Sequence, residues 1–244
     1  IPALLPHTKR VILLQDRELA MLTRRECQCF NAFGQPVERS PETIEWASQS
    51  AEKGEYPHFM LKEIFEQPAA IRAALEKYTD GGAFREGAIP LTPQDAAAVG
   101  RLVLVGCGSA YHAAAVGKTA IERLCRLPVE IDIASEFRYR DPILREDDLC
   151  VFISQSGETA DTLAALRLAT GRCRTLGIVN AVGSTLAREA SGLIYTHAGP
   201  EIAVATTKGY TTQVLALTLL AIYIAKARGC LSEEAVSQAL RRLS

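Results

Sequence analysis

Aromatic residues make up only 6% of this 244-residue sequence, with Trp46 the one tryptophan, and methionine occurs only at Met21 and Met60. Neither sign of charge dominates, since 27 Lys and Arg stand against 28 Asp and Glu for a formal net charge of -1, and no basic arm or charge block occurs. That balance argues against nucleic acid or an acidic membrane surface as a partner reached by general electrostatics. Long hydrophobic runs are missing too. The longest, 214–225, contains Thr218 and is too short and interrupted to span a bilayer. No signal peptide is recognisable, so the cytoplasm is the expected location.

A regular pattern of cysteine pairs is also lacking. The seven cysteines are an odd number and sit mostly inside apolar segments such as Leu149-Cys150-Val151, the pattern of reduced thiols. Cys27-Gln28-Cys29 is the one close pair, spaced for two side chains on one face of a strand, and no second pair or histidine cluster completes a zinc site. No metal site is expected from these cysteines. The sequence begins Ile1-Pro2-Ala3 without methionine and ends within an amphipathic pattern over 233–243, from which a piece of a longer protein is expected.

An apolar share of 48% with 23% charged residues is ordinary globular composition, and the length suits one large domain or one domain with a smaller attachment. Three short strands are predicted over 10–15, 18–23 and 27–30, too few to bury a core alone. Ser40-Pro41-Glu42-Thr43 predicts the start of a polar helix through Trp46, ended at Lys53-Gly54-Glu55-Tyr56-Pro57. Helical periodicity follows over 59–65 and 69–78 with an interruption at Pro68, closed by Asp80-Gly81-Gly82.

From Arg101 onward apolar strands alternate with helices. Strands are expected at 102–105, 129–133, 149–153, 175–179 and 193–196, and helices at 111–124, 162–169, 185–190 and 207–227. This alternation predicts an α/β fold with a five-stranded parallel, doubly wound sheet flanked by helices, preceded by a short β-strand remnant of another domain.

Between the third strand and its helix lies Ser154-Gln155-Ser156-Gly157-Glu158-Thr159, three hydroxyls and a glycine at a helix start. The first amides of a helix have no intrahelical partner and carry the positive end of its dipole, so they offer a seat for an anion. Without the Gly-Lys-Ser or Gly-Lys-Thr of a nucleotide P-loop, a phosphate monoester is the better candidate than ATP. The competing reading is an ordinary helix cap, for which Ser, Thr and Gly serve equally. In doubly wound sheets ligands bind at the carboxyl ends of strands, near the point where strand order reverses. That rule selects the loops after the first, third and fifth strands: Gly106 to Ala110, Ser154 to Thr159, and Ala198 to Lys208.

Four runs in and around these loops, Cys107-Gly108-Ser109-Ala110-Tyr111, Ala134-Ser135-Glu136-Phe137-Arg138-Tyr139-Arg140, Ser154 through Thr162, and Glu201 through Lys208, resemble the sugar isomerase (SIS) domain. Together with Lys62-Glu63-Ile64-Phe65-Glu66-Gln67-Pro68, they are similar to the first of two such domains in the glutamine:fructose-6-phosphate aminotransferase, or glucosamine-6-phosphate synthase, family. The resemblance implies a flavodoxin-like sheet. It also implies that 1–38 are the last strands of a glutaminase-type domain, 39–67 an interdomain linker and 68–244 the first SIS domain. Members of that family convert fructose 6-phosphate and glutamine to glucosamine 6-phosphate and glutamate, as homodimers, without metal or redox cofactor.

By resemblance Ser154, Gln155, Ser156 and Thr159 bind the phosphate with help from Ser109, while Cys107, Gly108, Val204 and Thr206 line the sugar. Ala110 stands where many members carry a serine and is left out of the site. The family's isomerase catalysts lie in a second SIS domain and tail, and its glutaminase nucleophile is an amino-terminal cysteine. No catalytic residue is therefore assigned to this chain, which is expected to bind the sugar phosphate without turning it over. Its partners would be the missing glutaminase and second SIS domains.

Other chemistries fit less well. Cys107 with His112 has the residue types of a nucleophile and base, but on a turn and the following helix they are not expected to face each other. Gly106-Cys107-Gly108 opens a dinucleotide fingerprint whose third glycine would fall at Tyr111. Lys208 at a helix start is a candidate for a Schiff base or, more simply, a structural ion pair or a charge in the phosphate field, and Glu201 for a carboxylate that orders its loop. A stand-alone phosphosugar-sensing regulator would carry a basic helix-turn-helix in place of the N-terminal strands, and a single-domain isomerase its own acid-base pair.

Overall fold

The computed structural model describes residues 7–43 and 52–243. Two compact units divide the chain, Ile1–Glu52 and Lys53–Ser244. In the first, β1 (Arg10–Val11) pairs antiparallel with β5 (Glu42–Thr43), while β2 (Leu19–Leu22), β3 (Cys27–Phe30) and β4 (Pro36–Val37) form a small antiparallel sheet. The strand at Glu42–Thr43 replaces the helix start expected there, and the rest of that expectation, through Trp46, lies outside the described residues. Cys29 is the one core residue among those described in this unit, whereas Leu19, Leu22 and Phe33 are exposed. Among the described residues these short strands close no core of their own.

The second unit opens with α1 (Phe59–Tyr78), a single 20-residue helix that runs through Pro68. The expected interruption does not occur. Proline at this position removes the amide that would bond the Ile64 carbonyl, and the Gln67 side-chain amide donates to that carbonyl instead, at 3.0 Å. A hairpin of β6 (Thr79–Asp80) and β7 (Ala83–Phe84) turns at Gly81 and Gly82, both at positive φ, and leads to α2 (Pro93–Ala98).

The alternating segment then forms β8 (Arg101–Gly106), α3 (Ser109–Cys125), β9 (Val129–Ile133), α4 (Ala134–Tyr139), β10 (Asp148–Ser154), α5 (Ala160–Ala169), β11 (Arg174–Val179), α6 (Thr185–Glu189) and β12 (Gly192–Tyr195). The expected strands and helices appear with their ends moved by one or two residues, and α4 is an addition. All five strands are parallel, in the order β9-β8-β10-β11-β12. Counted along the chain this is 2-1-3-4-5, the flavodoxin-like order. Two helices complete the unit, α7 (Lys208–Ala227) and α8 (Glu233–Arg241).

Side chains alternate across the sheet because the strand period is two. Leu102, Leu104, Leu149, Val151, Ile153, Leu176 and Ile178 join the core shared with α1, α3 and α7, while Val103, Val105, Cys150, Phe152 and Val179 join the core shared with α4, α5 and α6. All seven residues of β10 are buried, as expected of a central strand covered on both faces.

At 20 residues α7 is longer than its uninterrupted apolar run and, by length and composition, is apolar enough to cross a membrane. Here it packs against α3 and α1. The close approach needs Gly117, where an added Cβ would lie 2.8 Å from Leu217 Cδ1.

The opposite end of the sheet is tied by one arginine. Arg101 Nε donates to Asp148 Oδ1 at 2.9 Å, its Nη1 to Glu130 at 3.0 Å and its Nη2 to the Ile143 carbonyl at 2.8 Å, linking β8, β9 and β10. Burial pushes the Asp148 carboxyl up, but hydrogen bonds from Arg101 and from the Arg145 amide outweigh it and leave the pKa lowered. A lowered carboxyl pKa stabilises the fold above the unfolded-state value near 3.9, and that contribution is lost as pH falls through the folded value. Asp148→Asn, which loses a charge-assisted hydrogen bond, should therefore cost about 1.5–3 kcal/mol at pH 7 and reduce the acid sensitivity below about pH 4. Urea unfolding of both proteins at pH 7 and pH 3 measures this, and equal losses on acidification would exclude the pair as its source.

Candidate functional site

The first and third sheet strands, β8 and β10, are neighbours, with Ile153 opposite Gly106. From there the chain leaves β8 for α3 on one face and β10 for α5 on the other, which opens a crevice at the strand ends. A cavity of about 170 Å³ lies in it, lined by Cys107, Ser109, Ala110, Ile153, Ser154, Gln155, Ser156, Thr159, Thr206 and Gln213.

The turn after β10 is held from within. Ser154 Oγ accepts from the Gly157 amide at 3.0 Å and lies 3.3 Å from Thr159 Oγ1, and Ser156 Oγ accepts from the Glu158 amide at 3.2 Å. The Gln155 carbonyl accepts from the Asn180 and Ala181 amides, and Glu158 Oε1 from the Thr185 amide, so the turn is also braced against the loop before α6. Gly157, at φ +68, is required twice over. L side chains disfavour that conformation, and a Cβ would lie 2.1 Å from Ser184 Oγ.

Thr159 precedes α5 but its side chain does not cap the helix, and Gly108 at the start of α3 has no side chain with which to cap. Both first turns therefore present uncapped amides and the positive ends of their dipoles beside the cavity. With the hydroxyls of Ser109, Ser154, Ser156 and Thr159 beside them, the donor set suits a small oxyanion.

The third wall comes from the loop before α7. Glu201 accepts from the Thr206 hydroxyl at 2.9 Å and from the Thr207 and Gly209 amides at 2.8 and 3.0 Å, and so caps α7 from within its own loop. Glu63 of α1, only 1% exposed, accepts from the Ile202 and Ala203 amides. Lys208 is 3% exposed and its Nζ lies 2.7 Å from Glu66 Oε2. The structural ion pair is thus the role that Lys208 plays here, and Glu201 orders its loop.

Of the residues selected from sequence, Cys107, Ser109, Ser154, Gln155, Ser156, Thr159 and Thr206 line the one cavity. Gly108 adjoins it, exposed at the start of α3, and Val204 is fully exposed at the tip of its loop, outside the lining. Ala110, set aside for want of a hydroxyl, belongs to the wall through its position on the first turn of α3. The ring of His112 packs edge-on against Tyr111, 5.6 Å between centroids, and no hydrogen bond joins it to Cys107. Gln213 was missed. Its one signal is a lone amide in the apolar stretch of α7, and which way that amide points depends on how the helix packs.

The chain's 97–223 segment, just over half its length, matches the SIS domain. It is 45% identical over 240 residues to a glutamine–fructose-6-phosphate aminotransferase (isomerizing) of Clostridium tetani, covering 98% of this chain and 40% of that protein. It is 50% identical over 232 residues to the protein of the same name from Symbiobacterium thermophilum, covering 94% of this chain and 38% of that one. In structure it is similar to the C-terminal domain of glucosamine-fructose-6-phosphate aminotransferase from Francisella tularensis, with a TM-score of 0.74 and 36% identity, covering 79% of this chain and 54% of that one. The chain thus spans about two-fifths of the length of the curated relatives it matches. The strand order, the crevice at β8 and β10 and the matched segment agree, and the chain belongs to the SIS domain family.

Proposed function

We propose that this chain binds the phosphate of fructose 6-phosphate or glucosamine 6-phosphate, as part of an enzyme that converts fructose 6-phosphate and glutamine to glucosamine 6-phosphate and glutamate. The observation that carries this reading is the uncapped start of α5 at the sheet's switch point, ringed by the hydroxyls of Ser154, Ser156 and Thr159. The names of the relatives supply the substrate.

In this reading Ser154, Gln155, Ser156 and Thr159 seat the phosphate with Ser109 beside them, and Cys107, Gly108, Val204 and Thr206 meet the sugar. Binding requires the weak turn contacts of Ser156 and Thr159 to yield to charge-assisted bonds, which are about twice as strong as neutral ones. No catalytic step is assigned to a side chain of this chain. Residues 1–38 would then be the end of a glutaminase-type domain, 39–67 a linker and 68–244 the first of two SIS domains. The remaining domains of the enzyme and a second copy of it, in the cytoplasm, would be the partners.

Isothermal titration calorimetry of the chain with fructose 6-phosphate tests the phosphate seat. Ser156→Ala and Thr159→Ala should each weaken binding by about tenfold or more, the equivalent of one charge-assisted hydrogen bond of about 1.5 kcal/mol. Unchanged affinity in both variants would move the phosphate elsewhere. Gly157→Ala should lower the unfolding free energy by about 2 kcal/mol or more, from positive φ and overpacking together, and weaken fructose 6-phosphate binding with it. Thermal melting and the same titration would show whether the two losses occur together.

A further inference from the structure

Gln213 lies in the second turn of α7, 2% exposed, and borders the cavity. Its polar neighbours on that helix are engaged. Lys208 pairs with Glu66, Thr211 hydrogen-bonds Gln67, and Thr212 Oγ1 donates to the Lys208 and Gly209 carbonyls. No described residue hydrogen-bonds the Gln213 side-chain amide. The amide carries two donors and an acceptor, and its atoms are not among the sealed, unpartnered ones, so they are open to whatever occupies the cavity, water included.

Gln213 and the phosphate seat border the same cavity from helices on opposite faces of the sheet. α5 belongs to the layer packed on Cys150 and Phe152, whereas α7 belongs to the opposite layer, packed on Val151 and Ile153. A ligand whose phosphate rests on the first turn of α5 extends toward α7 with its remaining atoms. A phosphate needs only donors. A hydroxyl needs an acceptor and a donor, which is what a neutral amide supplies. We propose that Gln213 is a specificity-determining residue, its amide hydrogen-bonding a hydroxyl or carbonyl oxygen of the sugar portion of a phosphosugar held by the Ser154–Thr159 turn. This rests on the phosphosugar reading above.

The test compares two probes, fructose 6-phosphate and inorganic phosphate, on the chain and on Gln213→Met, which keeps the length and removes the amide. The variant should bind fructose 6-phosphate about tenfold more weakly and inorganic phosphate within about twofold of the parent, whereas Ser156→Ala should weaken both. Loss of neither ligand, or equal loss of both, would overturn the assignment. Loss of both would make Gln213 part of the anion seat or of the fold, and loss of neither would leave its amide to an ordered water. If the parent bound neither probe, the phosphosugar reading itself would fail and take this one with it. In case the variant does not fold, the side-chain amide resonances of Gln213 in the parent provide a second readout. They should shift on titration with fructose 6-phosphate and remain in place with inorganic phosphate, and the reverse would overturn the proposal.

Discussion

The side-by-side parallel pairing of β8 and β10 is the constraint on which the rest of the second unit depends. With Gly106 and Ile153 in register, both strands end at one level, and their chains then depart to opposite faces of the sheet. The space between them cannot be filled by either connection, so a crevice is left where two helix starts converge. The Arg101 network at the far end of the same strands holds that register from below. Register and crevice are two consequences of one ladder.

Around this opening the polar groups divide into those that build the walls and those left to a ligand. Glu63, Glu66, Glu201 and Lys208 are spent on fixing the loop before α7 and its helix start, each in a buried or half-buried contact. The hydroxyls of the β10 turn make longer or local bonds, and the α5 start lacks a side-chain cap. Charged side chains thus build the scaffold of the crevice, and neutral hydroxyls line the turn within it.

The first unit follows a different logic. Its strands leave Leu19, Leu22 and Phe33 exposed and bury only Cys29 among the described residues. Hydrophobic stabilisation scales with apolar area removed from water, so so little burial gives the strands scant independent stability. The second unit, in contrast, buries two continuous apolar layers against its sheet.

The sequence by itself determined the alternation of elements from Arg101 onward, the parallel sheet and the loops at its carboxyl edge, because strand periodicity, continuous apolar runs and turn chemistry are local and repeat along the chain. It also marked Ser154 to Thr159, where a hydroxyl-rich turn meets a helix start. What it could not determine rests on contacts between distant segments. Pro68 reads locally as a break, yet the Gln67 amide takes up the Ile64 carbonyl and α1 continues. Glu42 and Thr43 read as a helix start until Arg10 and Val11 offer them a strand partner. Gln213 reads as one polar residue in a buried helix, and only the packing of α7 on α3, permitted by Gly117, turns it to the cavity. Val204, chosen from its motif, is fully exposed in the loop that Glu63 and Glu201 brace. Local chemistry thus chose the loops, and the packing of α1 and α7 over the sheet decided which of their side chains face one another.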